Sequence, residues 1–170
     1  RAGSRGAPPI LCGAPPTQRR SAAAPPPPAL LKEVLSRLRG AERPLLLLGS
    51  GARGSADVAL ALAEALALPF VTTPMAKGLL PEEHPLSLRT CGMGASTWAR
   101  RYMNGDGLSA GPDVTLVLGS DLDDVAVCAT PPICPGGALI HVDHDAAVFA
   151  RNVPTALAVL HDVGAFTAAL

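Results

Sequence analysis

The chain is 170 residues long, 48% apolar but only 3% aromatic, and carries 14 Lys+Arg against 14 Asp+Glu. That length suits one domain whose core is mostly Leu, Val and Ala, and the zero formal charge gives no case for a nucleic-acid partner. No apolar stretch is long and clean enough to span a bilayer, and prolines interrupt any signal-peptide core near the N-terminus.

Residues 1–28 are rich in Pro, Ala, Gly and Arg and end in Pro25-Pro26-Pro27-Pro28, a linker composition with too few apolar side chains to offset its ordering entropy. The start at Arg1 rather than Met is read as a piece of something longer. Domain residues are expected from 29 to 170. Leu30, Leu31, Val34, Leu35 and Leu38 recur at helical spacing, with Lys32, Glu33, Arg37 and Arg39 on the other side and Gly40 as the stop.

The organising stretch follows. Leu45 to Leu48 is apolar on every residue, which suits a strand buried on both faces, as in a parallel sheet. The Ala/Leu run Val58–Leu66 suits its covering helix, and Gly49-Ser50-Gly51-Ala52-Arg53-Gly54 turns between them. Glycines 49, 51 and 54 fit G-x-G-x-x-G: the first for the tight turn, the second for close approach of a ligand, the third for helix packing on strand. The functional reading is a phosphate cradle, and the alternative is a turn that needs glycine for its own geometry. The second strand, Pro69–Thr73, ends in threonine where a dinucleotide site has an acid, so an ordinary NAD site is disfavoured.

Pro74 to Leu86 is too proline-rich for a regular element, and long loops in compact domains are often functional. A short third strand and glycine turn are predicted over Arg89–Gly94, a helix from about Ser96 to Met103, and a loop over Asn104–Pro112. Asp113–Gly119 reads as a fourth strand, Ala138–Asp143 as a fifth and Ala156–Leu160 as a sixth, with a closing helix from about Asp162. This alternation predicts an α/β fold with a six-stranded parallel sheet covered on both faces, in which ligands bind beyond the carboxyl ends of the strands.

Several polar clusters have plain readings. Cys12, Cys91, Cys128 and Cys134 lack C-x-x-C or zinc spacing and read as unpaired thiols of a reducing, cytoplasmic compartment. Asp121, Asp123 and Asp124 could ligate a hard cation, but acids in a first helical turn complement its dipole. His141 and His144 point to opposite faces of a strand, so no metal site is assigned there. His84 has no nucleophile partner that would make it a general base.

Read together, the strand ends carry a resemblance. Arg43-Pro44 plus aliphatics plus Gly-Ser-Gly-Ala, then Thr-Thr-Pro-Met-Ala-Lys-Gly, Pro-Glu-Glu-His-Pro-Leu, Gly-Met-Gly, Asp-Val-Thr-Leu-Val-Leu-Gly-Ser and Ile-His-Val-Asp-His-Asp follow in order. Over about residues 29 to 170 the chain resembles the central domain of thiamine-diphosphate-dependent enzymes of the acetolactate synthase, pyruvate oxidase and benzoylformate decarboxylase group, the acetolactate synthase-like members above all. The resemblance implies a three-layer Rossmann-like domain of the type that binds NAD or FAD, with strand order 3-2-1-4-5-6. It would lie between a pyrimidine-binding and a diphosphate-binding domain, in a homo-oligomer that acts on 2-oxo acids. Thiamine diphosphate and Mg2+ would be held by those other domains, outside residues 1–170, and no catalytic or metal-ligating residue is assigned here. Gly105-Asp106-Gly107 resembles the start of the family's magnesium motif, but positions 128 to 134 read Cys-Ala-Thr-Pro-Pro-Ile-Cys where that motif needs an asparagine, so it is read as a turn.

Some members of the family hold FAD or an ADP moiety in this domain and others hold nothing. Carried over by matching blocks, nucleotide contacts would fall on Gly49, Ser50 and Gly51, on Thr73 and Met75, on Gly92 and Met93, on Gly119 and Ser120, and on Asp143 and His144. One departure tells against FAD. FAD-binding acetolactate synthases carry a pattern like Gly-x-Arg-Phe-Asp-Asp-Arg after the fourth strand, whereas this chain reads Gly119-Ser120-Asp121-Leu122-Asp123-Asp124-Val125, with both arginines lost. The alternatives are a stand-alone NAD- or FAD-binding module of the transhydrogenase or electron-transfer-flavoprotein type, or an empty interaction scaffold.

Overall fold

A computed structural model describes residues 24–105, 110–127 and 137–170. Cys12, Cys128, Cys134, the Asp106-Gly107 turn and the first 23 residues of the linker lie outside the described residues.

The order is α1 (Pro28–Gly40), β1 (Pro44–Leu48), α2 (Ala56–Ala65), β2 (Phe70–Thr72), β3 (Ser87–Thr90), α3 (Thr97–Asn104), β4 (Val114–Leu118), α4 (Asp124–Val127), β5 (Ala138–Asp143), β6 (Leu157–Leu160) and α5 (Val163–Ala169). Short 3-10 turns occupy Ser50–Ser55, Pro74–Ala76 and Ala146–Val148. The six strands form one sheet in the order β3-β2-β1-β4-β5-β6, every pairing parallel. The predicted architecture and strand order are the ones found.

The sheet is covered as its leucines require. Leu46 and Leu48 face a core shared with Val34 and Leu38 of α1, Ala59 and Leu62 of α2, and Phe166 of α5. Leu45 and Leu47 face the opposite core, with Val71, Cys91, Ala99 and Met103. All four leucines have zero exposure, and burial of each is worth roughly 1.5–3 kcal/mol. An alternating strand would have left two of them in water.

Local chemistry sets the element ends. Pro28 opens α1 at a position where its missing N–H costs nothing. The end of the predicted linker packs against the domain: Pro26 is buried, and the Ala24 carbonyl lies 2.8 Å from Nε2 of His161. Ser96 caps α3 by accepting from the Ala99 N–H at 3.0 Å, and Asp162 caps α5 by accepting from Ala165 at 2.9 Å.

At the amino ends of the strands, the Asp113 carboxylate accepts from the N–H groups of Glu42 (2.7 Å) and Arg43 (3.0 Å), tying the entry of β1 to that of β4. Partial burial pushes its carboxyl up, but the backbone N–H groups of Glu42, Arg43, Asp113 itself and Val114 outweigh that and hold it below the usual range. The Arg43 guanidinium stacks 4.5 Å from the Tyr102 ring centre, and the Tyr102 hydroxyl donates to the Pro44 carbonyl at 2.8 Å. This end of the sheet is a structural clasp.

The long loop after β2 is pinned rather than loose. Lys77 pairs with Glu82. Nδ1 of His84 accepts from the Leu86 N–H at 3.2 Å, which leaves Nε2 to donate to Glu64 of α2, also at 3.2 Å. Leu80 is buried in the core beside Phe70.

Candidate functional site

Because every strand is parallel, all carboxyl ends share one edge, and backbone bonds stitch the segments that leave it. Thr73 N–H donates to Leu48 O, Cys91 to Thr72, Gly49 to Leu118, Gly119 to Val142 and His161 to Asp143, all at 2.9–3.0 Å. The five turns nominated from the sequence therefore lie along one rim. The strand order reverses between the neighbours β1 and β4, the switch point where open α/β sheets usually receive a ligand.

At that switch point the two tips pack backbone on backbone. A Cβ on Gly49 would sit 2.2 Å from the Gly119 carbonyl oxygen, and one on Gly51 would sit 2.9 Å from Gly119 Cα. Gly119 has φ +63°, and a Cβ there would lie 2.6 Å from the Gly51 carbonyl carbon. The Gly51 N–H donates to Gly119 O at 2.9 Å. What closely approaches Gly51 is thus the neighbouring turn. Gly92 has the same character, with a Cβ position 2.1 Å from Val125 O of α4. Gly54 is exposed, and the buried residues of its turn are Ala52 and Ser55.

Between the tips of β1, β2 and β4 lies a cleft of about 40 Å³, lined by Ser50, Thr73, Met75, Ser120, Asp121 and Asp123 among others. Four of the nominated residues, Ser50, Thr73, Met75 and Ser120, line it. Met93 projects into solvent at 62% exposure. Asp143 and His144 form a separate pair at 3.1 Å, with Asp143 buried and also accepting from the Asp145 N–H, and neither lines the cleft.

Three side chains that composition and spacing did not single out, Arg53, Arg151 and Asn152, brace the rim. Arg53 donates to the Met75 carbonyl at 2.8 Å, joining the β1 and β2 turns. Arg151 pairs with Asp121 at 2.9 Å, and Asn152 Nδ2 donates to Asp121 O at 3.0 Å, joining the loop before β6 to the β4 tip. Both partners of that ion pair are about half exposed, so it is worth no more than about 1 kcal/mol. Asp123 accepts from the Ala126 N–H at 2.8 Å and caps α4.

His141 sits one strand over. Its Nε2 donates to the Ser120 carbonyl at 2.7 Å, and its ring meets Phe149 edge-on at 5.1 Å between centres. Nδ1 is buried without a hydrogen-bond partner. Burial holds this imidazole below its usual pKa, against the Ser120 hydrogen bond and the charges of Asp143 and Asp121, which pull it up. The ring is the neutral prop of the Ser120 turn. Thr72 and Thr90, paired in register at the ends of β2 and β3, likewise bury hydroxyls without partners. Cys91 is buried, and desolvation pushes its thiol up to about 12 despite an opposing backbone hydrogen bond.

The chemistry available here is limited. Among the described residues no three His, Cys, Asp or Glu side chains are grouped to hold a metal ion. No described nucleophile at the rim has a hydrogen-bonded base. A diphosphate needs converging N–H donors or cations, whereas here the N–H groups of Gly49, Gly51 and Met93 are bonded to neighbouring backbone and Asp121 and Asp123 line the cleft. At about 40 Å³ the cleft has room for a few water molecules, where small-molecule sites run to roughly 300–1,000 Å³. The residues present do not fit the diphosphate of FAD or ADP. A larger hollow of about 350 Å³ between α1, α2 and α5 is lined largely by Leu, Ala and Val, away from the strand ends.

Known proteins supply the context. The family model described as "Thiamine pyrophosphate enzyme, central domain" matches residues 31–170. The large subunit of acetolactate synthase isozyme 1 from Escherichia coli is 34% identical over 133 residues, covering 78% of this chain and 23% of that protein. The acetolactate synthase large subunit of Lactococcus lactis is 31% identical over 137 residues, 79% of this chain and 23% of its own. The X-ray structure of a protein assigned as a thiamin diphosphate-dependent enzyme from Mycobacterium smegmatis superposes with a TM-score of 0.63 at 21% identity, over 82% of this chain and 26% of that one. That last likeness speaks for the fold. The chain spans about a quarter of the length of the relatives it matches.

Proposed function

The chain belongs to the family of thiamine pyrophosphate enzyme central domains, and from that premise we propose that it is the non-catalytic middle domain of an acetolactate synthase-like enzyme acting on 2-oxo acids. The observation that carries this reading is the match itself: residues 31–170 correspond to the central domain alone, about a quarter of each relative. A rim that, among the described residues, holds no nucleophile–base pair agrees with a role in holding other parts together. Thiamine diphosphate and Mg2+ belong to the two domains that would flank this one, and those domains are its partners, in a cytoplasmic homo-oligomer. Of the two uses the family makes of this domain, the structural one is supported better than the FAD- or ADP-binding one, since the switch point is filled by the protein's own backbone.

The test is the coding sequence on either side. The reading expects a pyrimidine-binding domain with an activating glutamate before residue 1, and after residue 170 a diphosphate-binding domain carrying a Gly-Asp-Gly motif with its downstream asparagine. The complete protein should then consume a 2-oxo acid only when thiamine diphosphate and Mg2+ are supplied. A reading frame that contains neither domain would overturn the proposal in favour of a stand-alone module.

A further inference from the structure

We infer that the strand-end cleft of this chain is closed to nucleotide diphosphates, its phosphate-binding groups having been turned to joining the strand tips to one another. Three independent features carry this. The first is the fate of the donors. A glycine turn holds phosphate by presenting free N–H groups, yet here Gly49 donates to Leu118 O, Gly51 to Gly119 O and Met93 to Val125 O, at 2.8–2.9 Å. The second is space. The gap between the β1 and β4 turns is shorter than a methyl group's reach at Gly49, Gly51 and Gly119 alike. A phosphate could enter that gap only if the two turns separated and gave up the bonds between them.

The third is charge. Asp121 and Asp123 line the cleft, and the two arginines at its edges are already engaged, Arg53 on the Met75 carbonyl and Arg151 on Asp121. A diphosphate placed there would face carboxylate oxygens at short range, which is unfavourable wherever water is excluded. Glycines that look like a cradle in the sequence are therefore a joint between strands. The inference concerns this face alone and does not depend on which domains flank the chain.

Two measurements on the full 170-residue chain test it, once a cooperative thermal melt by circular dichroism shows it folded. In the first, ADP and FAD at 1 mM are titrated calorimetrically and added to thermal melts. The expected result is no saturable heat and a melting temperature unchanged within about 1 °C, since any ligand bound at ten times its Kd would raise the folding constant about 11-fold. Saturable binding with a Kd below about 100 µM that is lost in Ser50→Trp, a substitution at the exposed lip of the cleft, would overturn the inference. Binding that survives Ser50→Trp lies elsewhere on the chain and leaves the cleft closed. In the second, hydrogen exchange without ligand should find the Gly51 and Met93 amides protected at least roughly 100-fold, as bonded amides are. Exchange of both at free-peptide rates would mean that the donors are available, and would equally overturn it.

Discussion

Gly49→Ala is the sharpest perturbation of this molecule, because its cost is steric and nothing else. Gly49 has φ −98° and ψ −178°, extended backbone that alanine adopts without strain. The added methyl would meet Gly119 O at 2.2 Å, Ser120 Cβ at 2.5 Å and Ser120 Cα at 2.6 Å. Carbon–oxygen contacts close to no less than about 3.3 Å, so the tips of β1 and β4 must part by roughly 1 Å. That opening strains two bonds at the joint, Gly49 N–H to Leu118 O and Gly51 N–H to Gly119 O, both 2.9 Å. Overpacking costs about 1–3 kcal/mol and a weakened hydrogen bond about 1 kcal/mol. Against this, alanine reduces the freedom of the unfolded chain by about 0.4–1 kcal/mol. The net loss expected is about 2–4 kcal/mol, read as a shift of the urea midpoint at constant slope, with a fall in Tm of about 5–15 °C. Two glycines of the same chain are controls. A Cβ on Gly40 meets nothing within 4 Å, so Gly40→Ala should be neutral or slightly stabilising. Gly78 also has open space but φ +80°, so Gly78→Ala should show the backbone cost alone, about 1–2 kcal/mol. If Gly49→Ala falls within about 0.5 kcal/mol of Gly40→Ala, the tips are not joined, and the glycine must be explained by something that approaches from outside.

His141 should make the fold sensitive to mild acid. Burial depresses its pKa in the folded state, so the unfolded chain takes up the proton first; the stability tied to the neutral ring is complete above about pH 6.5 and drains away as pH falls through that value toward the folded pKa. His141→Gln should flatten the stability profile between about pH 7 and pH 5, and equal slopes for the two proteins would show that the ring is not desolvated. Cys91, with its thiol pushed up to about 12, should resist a disulfide reagent at pH 8 in the native state and react once denaturant is added. Rapid labelling of the Cys91 peptide under native conditions would refute its burial.

Much of this architecture was readable because it rests on local rules. A run such as Leu45–Leu48 has no polar face to give to solvent, so it demands cover on both sides, and the structure sends Leu46 and Leu48 to one core and Leu45 and Leu47 to the other. The starts of α3, near Ser96 or Thr97, and of α5, near Asp162, were readable because a helix start is marked locally, and the structure makes Ser96 and Asp162 the caps, each bonding three residues ahead. The sequence could not say what opposes Gly51, since Gly119 reaches it only through the β1–β4 pairing. Nor could it show that Arg151 answers Asp121 from thirty positions away, or that His141 is the inward-facing histidine and supports Ser120.

What the amino-acid order determined by itself was the list of elements, their parallel arrangement and the family, all of which depend on hydrophobic period, turn chemistry and the order of blocks along the chain. What only the tertiary structure decided was the use of the rim. Whether a glycine's N–H is free for a phosphate or already bonded depends on atoms brought within 3 Å from distant positions, and a motif written in consecutive residues carries no record of them.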